Sequence, residues 1–362
     1  YIRPIPVLNN KKSKNKYLLL RAKIIFSIIV KGKISFKKIF NAAHCWFAQK
    51  FRFVKSSEFP FIINFELWNE CNAQCTFCRS DDGEIYDLNP QNLENKPIEK
   101  GRMPIEMFNE IIEQVKDHIL LAVPYVNGEP LMYPDLFKAI KFASDRKVAT
   151  LISTNGELLT EKNIKKLLDS SLDFIKIAIS GFSQDIFTIQ HRGCNIEKIK
   201  QNMRSLARIR DEGKHKILVM LDYIYYEYNA HEYRDALELG RELGFLVSRR
   251  PGNLHMLSEE HPELAKKEKP QDDIKDLPIK NLCDWPWKVM TVNWNGGIYP
   301  CCDYVVWGDQ KADAIFELGK TQIKEVWNGS SKLANREVHL KEGRGGYDIC
   351  SKCTRTGTAF KF

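Results

Sequence analysis

The sequence predicts an α/β fold: a parallel sheet curled into a partial (β/α)6 barrel, followed by a small β-hairpin-plus-helix domain. Three observations predict it. Short apolar runs alternate with amphipathic ones from Phe61 onward, turn-forming tripeptides close successive apolar runs, and cysteines gather again near the C-terminus.

In chain order, Phe61–Asn69, Leu120–Asn127, Ala149–Thr154, Phe174–Ser180, Ile217–Tyr226 and Phe245–Arg250 have the length and apolar character of buried strands. Between them, Pro104–Lys116, Asp135–Arg146, Thr160–Leu168, Ile196–Arg210 and Ala230–Leu243 repeat apolar residues at helical spacing. Strands linked by helices run parallel with right-handed crossovers, and in such barrels the chemistry sits at the C-terminal ends of the strands. Residues 60–250 are assigned to the barrel, 251–282 to a linker rich in Glu, Lys, Asp and Pro, and 283–362 to the cysteine-bearing C-terminal domain.

The 362 residues are 43% hydrophobic and 28% charged, enough to bury a sizeable core. The net charge of +9 is local. Residues 1–56 hold fourteen Lys and Arg and no Asp or Glu, whereas the remaining 41 Lys and Arg are outnumbered by 46 Asp and Glu. Residues 1–59 therefore form a basic, amphipathic extension that would attract an anionic surface: a membrane or a phosphorylated, even lipid-linked, substrate, with nucleic acid the least favoured. Its apolar runs, Leu18–Leu20 and Ile24–Val30, are interrupted by Arg21, Lys23, Lys31 and Lys33 and are too short to cross a bilayer. No small-residue cleavage pattern comes after them. The expected compartment is cytoplasmic, with peripheral membrane contact through the extension.

Most of the ten cysteines gather at 71/75/78, 301/302 and 350/353, a clustering that points to metal thiolates in a reducing compartment. Cys71, Cys75 and Cys78 come after the first strand within eight residues. Three thiolates can wrap one four-iron cluster and leave one iron open to another ligand; a zinc site or buried thiols is the competing reading. Cys283, Cys301, Cys350 and Cys353 could complete a second centre, a cubane cluster or a zinc ribbon, and Cys301 and Cys302 compete for one ligand position. Glu66, Tyr125, Asp222 and Arg250 lie near strand ends, where they face either substrate or a structural ion-pair partner.

The stretch Cys71-Asn72-Ala73-Gln74-Cys75-Thr76-Phe77-Cys78 resembles the CxxxCxΦC signature of the radical S-adenosylmethionine superfamily, with Phe77 as its aromatic. The resemblance implies that the open iron chelates S-adenosylmethionine, and that one-electron reduction, by a donor such as flavodoxin or ferredoxin, yields a 5′-deoxyadenosyl radical that takes hydrogen from substrate. Asn127-Gly128-Glu129-Pro130 resembles the family's GGEP motif, whose Glu holds the methionine amino group; its first Gly is Asn here. By the same resemblance, Thr154 and Asn155 belong to a cofactor-side turn, Ser180 to a turn touching the ribose, and Arg192 pairs with the cofactor carboxylate.

The C-terminal pattern, with the 294–302 hairpin and the 323–327 helix, resembles the SPASM/twitch region attached to many such enzymes, in its shortened form with one auxiliary four-iron cluster. Together the two resemblances imply a radical oxidoreductase acting on a sugar, aminocyclitol or related small substrate, with the auxiliary cluster accepting an electron. Glu66, Asp222 and Cys302 are its candidate catalytic side chains. A peptide-modifying maturase, an epimerase using Cys302 as hydrogen donor, and a plain iron–sulfur electron carrier remain as alternatives.

Overall fold

The computed structural model describes residues 22–75, 99–252, 261–266, 283–302, 312–347 and 350. Phe77, Cys78 and Cys353, together with most of the 251–282 linker, lie outside the described residues.

Six parallel strands succeed one another across the sheet: β1 (Ile62–Phe65), β2 (Leu121–Val123), β3 (Ala149–Thr154), β4 (Phe174–Ile179), β5 (Leu218–Tyr225) and β6 (Leu246–Pro251). On the far side of β1, β7 (Val289–Val292) pairs in parallel, and β8 (Gly297–Tyr299) and β9 (Ala314–Ile315) add antiparallel, so the order is β6-β5-β4-β3-β2-β1-β7-β8-β9. The cysteine-bearing hairpin thus prolongs the barrel sheet itself.

Alternation along the strands builds two layers of core, because successive side chains point to opposite faces. Ile63 and Phe65 of β1 join the outer core beneath the helices, with Phe108, Ile111 and Ile112 of α3 (Ile105–Val115). Ile62 points inward with Leu121, Leu151, Phe174 and Val289. Each fully buried side chain of this kind contributes about 1.5–3 kcal/mol. The covering helices start where the sequence provides caps: the Thr160 hydroxyl accepts from the Asn163 amide at 3.3 Å ahead of α4 (Glu161–Asp169), and the Asn195 carboxamide accepts from the Lys198 amide at 3.0 Å ahead of α5 (Ile196–Glu212).

Two strands end earlier than the apolar runs suggest. β2 stops before Pro124, which has no N–H for the ladder. After β1, residues 67–69 turn to pair with the returning chain: the Leu67 carbonyl accepts from the Met103 amide, and Trp68 bridges Arg102.

The N-terminal extension is helical at residues 22–30 (α1) and at Phe36–Lys50 (α2). It closes the barrel at the N-terminal ends of the strands. Ile24 faces a crevice lined by Leu151, Phe174, Leu218, Met220 and Leu246. Lys31 and Lys33 reach the buried Asp173, just before β4, at 2.9 and 2.6 Å. Asn41 donates to the carbonyls of Pro60 and His118, ahead of β1 and β2, and Lys38 to that of Lys147, ahead of β3. Part of the basic charge therefore serves the fold.

Candidate active site

At the opposite end of the barrel, the loop after β1 carries Cys71 and Cys75, both half-buried. The segments that follow β2, β3 and β4 hold this loop. Glu129 donates its amide to the Glu70 carbonyl at 2.9 Å. Gly128 lies so close that a Cβ there would stand 2.1 Å from the Trp68 carbonyl oxygen, so only glycine allows this approach. The Asn155 side-chain amide donates to Asn72 Oδ1 at 3.0 Å and approaches Cys71 Sγ at 3.7 Å. Arg192 brackets Gln74 with its main chain and its side chain: its carbonyl accepts from the Gln74 amide at 2.9 Å, and its Nε donates to the Gln74 carbonyl at 3.1 Å. Asn69 anchors the returning chain, accepting from the Gly101 amide and donating to the Glu99 carbonyl.

Glu129 is the organising group. Oε1 accepts from the Thr154 hydroxyl at 2.8 Å and the Leu131 amide at 3.1 Å, and Oε2 accepts from the Asn155 amide at 2.9 Å. Burial pushes its carboxyl up to about 7, against hydrogen bonds that favour the anion. An ionised carboxylate has about four acceptor positions, so three internal donors leave room for a further one, such as an amino group.

Ser180, at the end of β4, is fully buried, and its hydroxyl lies 2.7 Å from Nδ1 of His191. That ring stacks on Phe187 at 4.7 Å, and burial pushes the imidazole down to about 3, so it is neutral. The Ser180 carbonyl accepts from Asn229 at 2.8 Å. Ser180 thus fastens the turn from within. His191 and Asn229 had no sequence signal beyond their residue types.

Two carboxylates are buried in the barrel, each with its own polar partners. Glu66, buried beyond the end of β1, accepts from the Asn127 side chain at 2.7 Å. Asp222 on β5 accepts from Ser248 at 2.6 Å and Arg250 at 2.8 Å and pairs with Lys176 at 3.1 Å. Burial pushes the Asp222 carboxyl upward, but Lys176 and Arg250 outweigh it and hold the group well below the usual carboxylate range. Pro130 opens a short 3-10 turn, Pro130–Met132, whose Leu131 amide is one of the donors to Glu129.

In the C-terminal unit, Cys283, Cys301, Cys302 and Cys350 are half-buried thiols. Cys350 Sγ lies 3.7 Å from Nε2 of His339, whose Nδ1 donates to the Asn335 carbonyl at 2.9 Å; the neutral ring therefore presents Nε2 as an acceptor to the thiol. The buried Lys332 ammonium pairs with Asp313 at 2.7 Å and feels the charge of Cys301. Among the described residues, no three His, Cys, Asp or Glu side chains converge as ligands of one ion.

These surroundings fit the groups that the cysteine spacing implies. The glycine approach at Gly128 and the spare acceptor capacity of Glu129 make a cradle beside Cys71 for a ligand carrying an ammonium. At the second site, the buried Lys332 ammonium suits an anionic thiolate cluster. Cys71 and Cys75 would hold the first centre, and Cys283, Cys301 or Cys302, and Cys350 the second.

Residues 65–240 match the family model of the Radical SAM superfamily, and residues 283–354 match that of an iron-sulfur cluster-binding domain, SPASM. The tungsten-containing aldehyde ferredoxin oxidoreductase cofactor-modifying protein of Pyrococcus furiosus is 25% identical over 305 residues, 72% of this chain and 79% of that protein. An AdoMet-dependent heme synthase of Nitratidesulfovibrio vulgaris is 24% identical over 186 residues, 51% of this chain and 45% of that protein; the match thus spans under half of that relative. The crystal structure of Streptococcus suis SuiB bound to S-adenosylmethionine shares the fold, with a TM-score of 0.56 at 14% identity over 82% of this chain and 73% of that one. No helix among the described residues is long and apolar enough to cross a membrane. The chain belongs to the radical SAM superfamily: it is a radical SAM enzyme with a SPASM domain, whose cofactors are a four-iron cluster, an auxiliary iron–sulfur centre and S-adenosylmethionine.

Proposed function

We propose that the chain oxidises a small hydroxylated substrate, a sugar, an aminocyclitol or a close relative, by removal of hydrogen from carbon and then loss of one electron and one proton. The observation that carries this reading is a set of paired polar side chains in the barrel: Glu66 with Asn127 beyond β1 and β2, and Lys176, Asp222, Ser248 and Arg250 along β4 to β6. Such alternating donors and acceptors suit a polyhydroxylated ligand. When bound, the clusters and S-adenosylmethionine supply a hydrogen-abstracting radical and an acceptor for one electron.

The chain's own residues divide the remaining work. Glu129 fixes the ends of β2 and β3 and has capacity for the cofactor's amino group. Asp222, held ionised by two cations, is a poor proton acceptor and serves to orient Arg250, whose side chain is half exposed. Glu66 takes the hydroxyl proton as the carbon–oxygen double bond forms. Arg192 holds the cysteine loop through Gln74. A one-electron donor of the flavodoxin or ferredoxin type starts each turnover.

The test is anaerobic incubation of reduced, reconstituted protein in deuterated water with S-adenosylmethionine and a fractionated small-molecule extract. Oxidation gives 5′-deoxyadenosine and a product lacking two hydrogens. A product of unchanged hydrogen count carrying solvent deuterium, lost in Cys302→Ala, would establish epimerisation instead.

A further inference from the structure

The described residues include thirteen exposed large apolar side chains, and eleven of them lie between residues 25 and 53. Phe36 is 81% exposed, Phe26 66% and Phe53 61%, with Phe40, Trp46 and Phe47 beside them. The inward faces of α1 and α2 are already occupied: Ile24, Ile28 and Cys45 are buried in the inner core. These helices are therefore apolar on two sides, only one of which the fold uses. A patch of this kind in water marks a surface that another body covers.

The charges around the patch say which body. Lys23, Lys37, Lys50, Arg52 and Lys55 are exposed among the aromatics, and the first acidic residue of the chain, Glu58, is paired with Lys324. Lys50 Nζ sits 4.5 Å above the Trp46 ring. Aromatic and aliphatic side chains interleaved with cations match the boundary between acyl chains and anionic headgroups. A second copy would oppose like charges, and a nucleic acid would leave the apolar side chains in water.

We propose that α1 and α2 seat this protein on an anionic phospholipid bilayer, with the cysteine-bearing end of the barrel turned toward the aqueous phase. The orientation comes from the parallel sheet. Asn41, Lys38 and Lys33 contact residues that precede β1 to β4, whereas Cys71 and Cys75 come after β1; a six-residue strand separates the two ends by about 20 Å. Docking on the helix face leaves the site open to a water-borne substrate. This inference is independent of the radical chemistry.

Co-sedimentation of the full-length, cluster-loaded protein tests it, with vesicles of phosphatidylcholine alone and of phosphatidylcholine mixed with phosphatidylglycerol. Binding to the mixed vesicles that weakens with salt is expected. Phe26→Ser with Phe47→Ser lowers the partition coefficient about ten-fold or more; Lys37→Glu with Lys50→Glu lowers it on the mixed vesicles only. Leu318→Ser, on another exposed apolar residue, leaves binding unchanged, and all variants keep 5′-deoxyadenosine formation and the circular dichroism of the parent. Equal sedimentation of parent and Phe variants overturns the proposal. So does a dimer in solution that the Phe variants dissociate without any vesicle binding. Hydrogen exchange on vesicles fixes the orientation: protection of residues 22–53 is expected, and protection of residues 71–75 instead contradicts it.

Discussion

Glu129 and the end of β3 form a single hydrogen-bonded unit, in which one carboxylate oxygen accepts from the Thr154 hydroxyl and the other from the Asn155 amide. This contact places the Asn155 side chain against Asn72 and Cys71, and so ties the cofactor-side turn to the cysteine loop.

Because burial raises the Glu129 carboxyl from 4.5 to about 7, the native state binds more protons than the unfolded state between those values. Stability from this group is complete below pH 4.5 and is lost as pH rises through about 7. In metal-free protein, urea unfolding at pH 5 and pH 7.5 should show the parent losing about 2 kcal/mol relative to Glu129→Gln over that interval. A difference between the two proteins that does not change with pH contradicts the assigned protonation.

Gly128→Ala should damage the site without removing its cysteines. The new methyl meets the Trp68 and Glu70 carbonyls, so the loop must shift by more than a bond's flexibility allows. Expected outcomes are a melting temperature lower by about 2–4 °C per kcal/mol of strain and a loss of S-adenosylmethionine cleavage of about ten-fold or more. Unaltered cleavage would mean that the loop does not sit where described.

Removing the Asp222 charge leaves Lys176 without its buried partner. Asp222→Asn should cost about 3 kcal/mol, most of it from Lys176, since Arg250 is half exposed. The parent carboxylate contributes stability above its unfolded value of 3.8, which is lost as pH falls, so the difference between the two proteins should shrink in acid. Cofactor cleavage without substrate should persist in the variant, because Asp222 touches none of the cysteine-loop contacts.

The Lys31–Asp173–Lys33 cluster makes a parallel prediction at the other end of the barrel. Asp173 also accepts from the Thr150 amide at 2.8 Å, so it joins the segment between α1 and α2 to β3 and β4. Asp173→Asn should destabilise by about 3 kcal/mol. Limited proteolysis should then cut residues 22–50 faster than in the parent, while a cut rate equal to the parent's would show that the helices are held by apolar contact alone.

The fold was legible because it is written in local periods: strand runs at Ala149–Thr154 and Phe174–Ser180 and helical spacing at Ile196–Arg210 survive almost unchanged. The cysteine loop and Gly128-Glu129 were legible because ligand geometry and close backbone approach restrict residue type locally. Partnerships across the sheet were not. Nothing local says that Glu129 will face Thr154, that Ser180 will face His191, or that Lys33 will reach Asp173 140 residues away. Nor does a run of Lys and Phe declare which side of a helix the barrel will cover. The continuation of β1 by β7 was hidden for the same reason, since sequence separation carries no information on strand order.

Everything proposed for the site depends on Cys71, Cys75 and Cys78 holding the cluster that cleaves S-adenosylmethionine. Iron and 5′-deoxyadenosine should be measured together, in anaerobically reconstituted parent and in the triple variant with all three residues changed to Ala. The parent should hold about eight irons per chain and the variant about half of that, with no 5′-deoxyadenosine from the variant under reducing conditions. Cleavage retained in the triple variant would contradict the assignment.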